Sequence, residues 1–257
     1  MSFEVAADSY TRFMGRFSGP LAVKFVDAVG VAPGQRALDV GCGTGELTRV
    51  LVDRLGVGAV AAVDPSAPFV DSLIDLYPTL TVKLAGAEDL PFADAEFDVV
   101  LAQLVVLFMA DPARGLAEMV RTAKPGGLVG ANVWDHGGGK GPLSPFWDAA
   151  RSINPDAPDE SHMPGVHDGE LAAMLQRAGL VDITATELTV ELHCHTFDDW
   201  WSPFLLGVGP AGAYVAALSV NEQSQLRDAC KDRMGPGPFV AHAIAWTAWG
   251  KRPGGRT

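Results

Sequence analysis

Gly41, Gly43, Gly45 and Asp64 are the residues whose types and spacing most clearly assemble a binding device. The three glycines alternate through Gly41-Cys42-Gly43-Thr44-Gly45, and the missing Cβ atoms let a ligand lie against the backbone. Glu46-Leu47-Thr48-Arg49-Val50-Leu51-Val52 then sets Leu47, Val50 and Leu51 at i, i+3 and i+4, the spacing of a helix. A helix start offers unpaired N–H groups with partial positive charge, so a carboxylate or a phosphate suits that point. Asp64 follows Gly45 by 19 residues, a span suited to one βαβ unit. Its carboxylate can accept both ribose hydroxyls of a nucleoside; a solvated acid at a helix start is the competing reading.

The elements that must position these residues follow from periodicity. Ala37–Val40 is a short buried strand, and Ala59–Val63 is a second that ends at Asp64. Pro65-Ser66 opens a helix through about Tyr77, Leu80–Leu84 is a third strand and Phe97–Ala102 a fourth. Asp111-Pro112 caps a helix through Thr122, and Leu128–Trp134 is strand five. Asp168 caps a helix to Ala178; Asp182–Leu192 and Val240–Trp249 are the last strands. Before all of these, residues 8–30 read as two helical pieces, the second starting at Ser18-Gly19-Pro20. Residues 135–165, rich in glycine and proline, cannot form one continuous element and read as a lid or substrate-contacting insertion. Residues 196–236 are helical and apolar on one side.

Two cofactor classes use a strand, glycine turn and helix. A dinucleotide site takes G-x-G-x-x-G/A, but here the third glycine arrives one residue early and Glu46 occupies the last position. A glutamate there faces a pyrophosphate with the wrong charge. Leu38-Asp39-Val40-Gly41-Cys42-Gly43-Thr44-Gly45 instead resembles the first motif of the class I S-adenosylmethionine-dependent methyltransferases, in their small-molecule, type 11-like branch. Gly86-Ala87-Glu88-Asp89-Leu90-Pro91-Phe92, followed by Phe97-Asp98, is similar to the family's second landmark, G-D-A-x-x-L-P-F and then F-D-x-V. Leu116 to Gly127, L-x-E-M-V-R-x-x-K-P-G-G, resembles the third. At motif level the resemblance spans about residues 8–180.

The resemblance implies a Rossmann-like, doubly wound α/β domain spanning residues 1–257. Its seven-stranded sheet is mostly parallel, with the last strand antiparallel between strands five and six and helices on both faces. Residues 1–33 are then an N-terminal helical cap, and residues 135–165 and 196–236 are substrate-side insertions. The implied activity is methyl transfer from S-adenosylmethionine to a small-molecule acceptor. Asp39 then supports the loop, Gly41, Cys42, Gly43 and Gly45 underlie the cofactor, and Asp64 with Pro65 holds its ribose. The N–H of Ala87 meets the adenine, while Gln103 and Leu104 touch adenine and the methionine end. Gly86 stands where the family commonly has aspartate, so Glu88 or a water substitutes. Tyr10 to Ser18 resembles a segment that closes over the cofactor, which makes Tyr10 and Arg16 candidates; simple packing is the competing reading of its aromatics. Two other readings stay open: a non-catalytic S-adenosylmethionine-binding module and an NAD-dependent oxidoreductase, since Asp64 suits either nucleoside.

Composition narrows the partners. A net charge of −12 argues against a polyanionic partner such as nucleic acid. The longest apolar run, Val99–Ala110, is interrupted by Gln103 and too short to span a membrane. The first residues lack the pattern of a signal peptide, and three scattered cysteines make a disulfide framework improbable, so a cytoplasmic setting fits. Oligomeric state has no signature. His193 and His195 share a strand face without a completing ligand, so no metal site is expected. His136, just past strand five, lies where an acceptor would approach. It can take a proton from a hydroxyl, amine or acidic carbon; an ordinary loop histidine is the alternative.

Overall fold

Strand β1 (Ala37–Val40) is buried along its whole length and pairs in parallel with β2 (Val60–Asp64) and, on its other side, β4 (Phe97–Gln103). The computed structural model describes residue 9, residues 11–158 and residues 160–254. Strand β3 (Thr81–Leu84) adds in parallel beside β2, and β5 (Ala123–Trp134) beside β4. Strand β7 (Phe239–Lys251) inserts antiparallel between β5 and β6 (Val181–Cys194), giving the order β3-β2-β1-β4-β5-β7-β6. The order reverses between β1 and β4, so the crevice beyond their carboxyl ends is the place where a doubly wound sheet receives ligands.

Strand alternation divides the core into two. Ala37, Val99 and Leu101 face one layer, with Phe25 and Val29 of α1 (Arg16–Val29), Leu47 and Leu51 of α2 (Glu46–Leu55), and Leu73 of α3 (Ala67–Leu76). Leu38, Val100 and Ala102 face the other, with Leu116 and Met119 of α4 (Pro112–Thr122). After α5 (Ser144–Ile153), Leu171 and Leu175 of α6 (Glu170–Arg177) complete that layer. A third, aromatic cluster joins α5 to α7 (Phe197–Trp201), α8 (Gly209–Ala217) and α9 (Val220–Met234). Within it Phe146 stacks on Phe204 at 4.6 Å between ring centroids.

Residues 135–165 form no single continuous element but contain one regular helix, α5, that the sequence did not mark: Pro145 sits in its first turn, where proline is tolerated, and Phe146, Trp147, Ala149 and Ala150 are buried. Three expectations need correction. No second helix starts at Ser18. A π-helical turn, Thr11–Gly15, runs straight into α1, and the Ser18 hydroxyl donates back to the Met14 carbonyl at 3.1 Å rather than capping. Asp168 does not cap α6, because Gly169, left-handed at φ 73°, occupies the N-cap. Strand β5 begins at Ala123 rather than Leu128, and a register shift opposite Phe97–Val99 absorbs the Lys124–Gly127 stretch.

Candidate functional site

Backbone hydrogen bonds pin the loop between β1 and α2. The Gly41 and Cys42 N–H groups donate to the Val63 carbonyl at 2.8 and 2.9 Å, and the Gly45 N–H donates to the Cys42 carbonyl at 2.8 Å. All three glycines are left-handed, with φ of 72°, 51° and 87°. A Cβ on Gly41 would lie 2.5 Å from Val105, and one on Gly45 2.6 Å from Leu73, so both positions require glycine for space as well as torsion. At Gly43 nothing lies within 4 Å of such an atom. That residue is the open floor of a groove.

Three carboxylates border this floor. Asp39 is fully buried; the Thr48 hydroxyl donates to its Oδ2 at 2.6 Å. Burial, only partly offset by that bond, pushes the Asp39 pKa up to about 7. Asp64 accepts the Gly43 N–H on Oδ2 and the Ser66 N–H on Oδ1, both at 2.8 Å, and burial still raises its pKa. Glu46 opens α2 and pairs with Arg49 at 3.0 Å. Asp39 Oδ1, Thr44 Oγ1 and Gln103 Oε1 are buried without a protein partner, and all three residues line the groove. Such orphaned acceptors suit a ligand with hydrogens to donate and positive charge to neutralise. A pyrophosphate would meet like charge instead.

The structure brings most of the sequence-derived residues to this groove. Asp39, Gly41, Cys42, Gly43, Gln103 and Leu104 line one part of it, and Asp64 and Pro65 the adjoining part. Gly45 lies beneath, at the helix start. Burial raises the Cys42 thiol well above its ordinary range, so it serves as inert floor. The Gln103 amide donates to the Ser18 carbonyl at 2.9 Å, fastening α1 over the groove.

Other residues lie elsewhere. The Glu88 carboxylate accepts the Ala110 and Asp111 N–H groups at 2.8 and 3.3 Å, and neither it nor Ala87 is on the groove wall. Arg16 donates to the Asp199 carbonyl and lines a separate surface cleft. Two residues along a helix turn through about 200°, so with Ser18 over the groove Arg16 points away. Tyr10 lies outside the described residues. Sequence reasoning passed over Thr44, Phe69 and Phe108 as groove residues, placed Val105 in the segment that reaches the cofactor, and read Glu46 only as an argument against pyrophosphate. Thr44 sat inside the glycine motif; Phe69 and Phe108 carry no local signal.

A second hollow adjoins the first. It is a chamber lined by Phe13, Met14, Leu107, Trp134, Leu143 and Val208, and it shares Leu104 and Phe108 with the groove. Its polar corner is His136 and Glu160, whose side chains are 6% and 8% exposed, with Nδ1 and Oε2 3.8 Å apart. The Trp147 indole donates to the same Oε2 at 3.2 Å. His193 and His195 are solvent-exposed on either side of buried Cys194. Among the described residues no group of three or more His, Cys, Asp or Glu could hold a metal, and no helix is long and apolar enough to cross a membrane.

Comparison with known proteins agrees with this geometry. Residues 38–130 match the family model described as a methyltransferase domain. An uncharacterized methyltransferase of Mycobacterium bovis is 38% identical over 135 residues, 52% of each chain. A ubiquinone/menaquinone biosynthesis C-methyltransferase of Laribacter hongkongensis is 36% identical over 132 residues, 48% of this chain and 52% of that protein. The chain thus spans about half the length of the curated relatives it matches. Among solved structures, the YcgJ protein of Bacillus subtilis shares the fold with a TM-score of 0.58 at 17% identity, over 93% of this chain and 99% of that one. So does a Haemonchus contortus phosphoethanolamine N-methyltransferase solved with S-adenosylhomocysteine, with a TM-score of 0.58 at 17% identity, over 98% of this chain and 60% of that one. Residues 38–130 thus match a methyltransferase domain, and the sheet order and glycine groove around them support a class I S-adenosylmethionine-dependent methyltransferase.

Proposed function

We propose that this chain moves a methyl group from S-adenosylmethionine in the groove to a small acceptor in the chamber. The observation that carries the reading is the shared wall: Leu104 and Phe108 line both hollows, so ligands in the two meet there. The groove fits the cofactor. Its ammonium and ribose hydroxyls are hydrogen donors and its charge is positive, which suits the orphaned acceptors on Asp39 and Gln103 and the carboxylates of Glu46 and Asp64.

S-adenosylmethionine, when bound, supplies a methyl group on a sulfonium, already a good leaving group. The chain's own work is therefore orientation and exclusion of water. Gly43 admits the cofactor against the backbone, and Asp64 keeps that backbone in place through the Gly43 N–H. In-line displacement needs the acceptor opposite the sulfur, and the chamber beyond Leu104 offers that approach. Residues 135–165 and 196–236 supply Leu143, Glu160 and Val208 to its walls, and Phe13 comes from the N-terminal cap. The apolar lining supports a small, apolar acceptor, as does the quinone-pathway name of one relative; the net charge of −12 speaks against nucleic acid.

Thermal unfolding with S-adenosylhomocysteine or NADH tests this. A ligand at a hundred times its dissociation constant adds about 2.7 kcal/mol of stability. S-adenosylhomocysteine alone should raise Tm, and Asp64→Ala should abolish the rise. No rise, or a larger one with NADH, would sink the proposal.

A further inference from the structure

We infer that the acceptor is a neutral, ring-bearing molecule with a weakly acidic hydroxyl, whose proton His136 takes while Glu160 positions the imidazole. The inference rests on the methyl-transfer reading above and adds the acceptor's chemistry. Phe13, Phe108 and Trp134 give the chamber flat aromatic walls. Among the described residues lining it, His136 and Glu160 are the only titratable ones. The carboxylate stands on the Nδ1 side of the imidazole at 3.8 Å and is held there by the Trp147 indole. Among the described residues, two titratable neighbours adjoin this corner without lining the chamber: Asp135, which accepts the Gly138 N–H at 2.6 Å, and His167, which packs on Gly137. Trp134 adds an independent sign, because its indole N–H is buried without a protein partner on a chamber wall. That donor calls for an oxygen on the ligand.

These groups sort the possible acceptors. A carboxylate would meet the Glu160 charge in apolar surroundings, which is unfavourable. An ammonium would pair with Glu160 but keep the proton that masks its lone pair. A neutral ring hydroxyl avoids both faults. Its proton passes to His136 Nε2 as its oxygen lone pair bonds to the methyl carbon; the carbon–sulfur bond breaks, and its electron pair stays on sulfur. Glu160 stabilises the imidazolium until the proton leaves to water, the role of a carboxylate behind a histidine base. His136 is then the catalytic residue and Glu160 a positioning residue.

The probe is 4-nitrophenol, which absorbs visibly as the phenolate and not as the phenol. It is titrated into the protein with S-adenosylhomocysteine present, at about one unit below the probe's own pKa. Wild-type protein should hold the bound probe largely as phenolate. Glu160→Gln, which keeps an acceptor for Trp147, should lower the phenolate-to-phenol ratio about tenfold and move the pH profile up by about one unit. His136→Phe should abolish the phenolate signal. Both variants should keep the wild-type S-adenosylhomocysteine shift in Tm, which reports an intact fold and groove. An equal ratio in wild type and Glu160→Gln would overturn the inference, as would stronger stabilisation by benzylamine than by 4-nitrophenol. An S-adenosylhomocysteine shift with the phenol excluded overturns this inference alone; no such shift in wild type overturns the methyl-transfer reading with it.

Discussion

The groove and the chamber touch at Leu104 and Phe108 and are otherwise built in opposite ways. The groove is mostly backbone: a short run of glycines, fixed by hydrogen bonds to Val63 and Asp64, beside carboxylates whose acceptors are incompletely used. The chamber is mostly side chain, with aromatic and aliphatic residues from distant parts of the chain enclosing one polar corner. Local chain geometry makes a site for a ligand common to a whole family; long-range packing makes one that can vary independently. The two should therefore fail independently.

The sharpest separation comes from Phe146→Ala. Phe146 is fully buried and stacked on Phe204 in the aromatic cluster behind the chamber, so its loss should lower stability by about 3–5 kcal/mol in urea unfolding. Phenol binding should disappear while the S-adenosylhomocysteine response persists. Loss of both would show that the regions are one cooperative unit.

Next come the glycines. Gly41→Ala forces a Cβ into Val105 at positive φ and should cost roughly 2–3 kcal/mol. Gly43→Ala carries only the torsional penalty, about 1–2 kcal/mol, yet it should weaken S-adenosylhomocysteine more than any change in stability accounts for, because it fills the open floor. Calorimetric titration of the pair would break the comparison if Gly41→Ala proved the gentler in stability.

The third prediction concerns pH. The folded protein holds Asp39 protonated up to about pH 7, whereas the unfolded chain releases that proton near 3.8. Stability from this group is therefore complete below about pH 4 and is lost as pH rises towards 7. Asp39→Asn should flatten most of that fall in urea midpoints, the residue coming from Asp64, which shifts in the same direction. A cation in the groove should favour ionised Asp39, so S-adenosylmethionine should bind more tightly at pH 8 than at pH 6 in wild type and show less change in the variant.

The smallest effect is expected at Glu88→Ala. Its hydrogen bonds to Ala110 and Asp111 are exposed, so the loss should be under about 1 kcal/mol, with S-adenosylhomocysteine affinity unchanged. A tenfold weaker affinity would extend the groove to residues 86–88.

What could be read in advance follows the same division. Gly41 to Thr48 encodes strand end, turn and helix start within consecutive residues, so the groove and its acids were legible. The parallel sheet was legible because its buried strands are short apolar runs between helical periods. The chamber was not. Phe13, Trp134, Glu160 and Val208 become neighbours only after folding, and a lone glutamate in a proline-rich stretch carries no local sign of burial. Helix α5 was hidden by Pro145 and the prolines flanking it, although Phe146, Trp147, Ala149 and Ala150 held helical spacing throughout. The motif likeness points Arg16 at the cofactor; the helical period of α1 turns it away, onto the Asp199 carbonyl.

Leu104 adopts φ of 62°, a torsion that disfavours any side chain, and its N–H reaches both the carbonyl and the side-chain oxygen of Asn132, at 2.9 and 3.1 Å. A partition held this firmly answers to both of its neighbours. Whatever factor an occupant of one compartment applies to affinity in the other must be returned unchanged in the opposite direction. Substrate preference and cofactor affinity, otherwise independent, are then linked at this position: a replacement of Leu104 that changes the coupling changes one constant, and titrations begun from either side should report the same value.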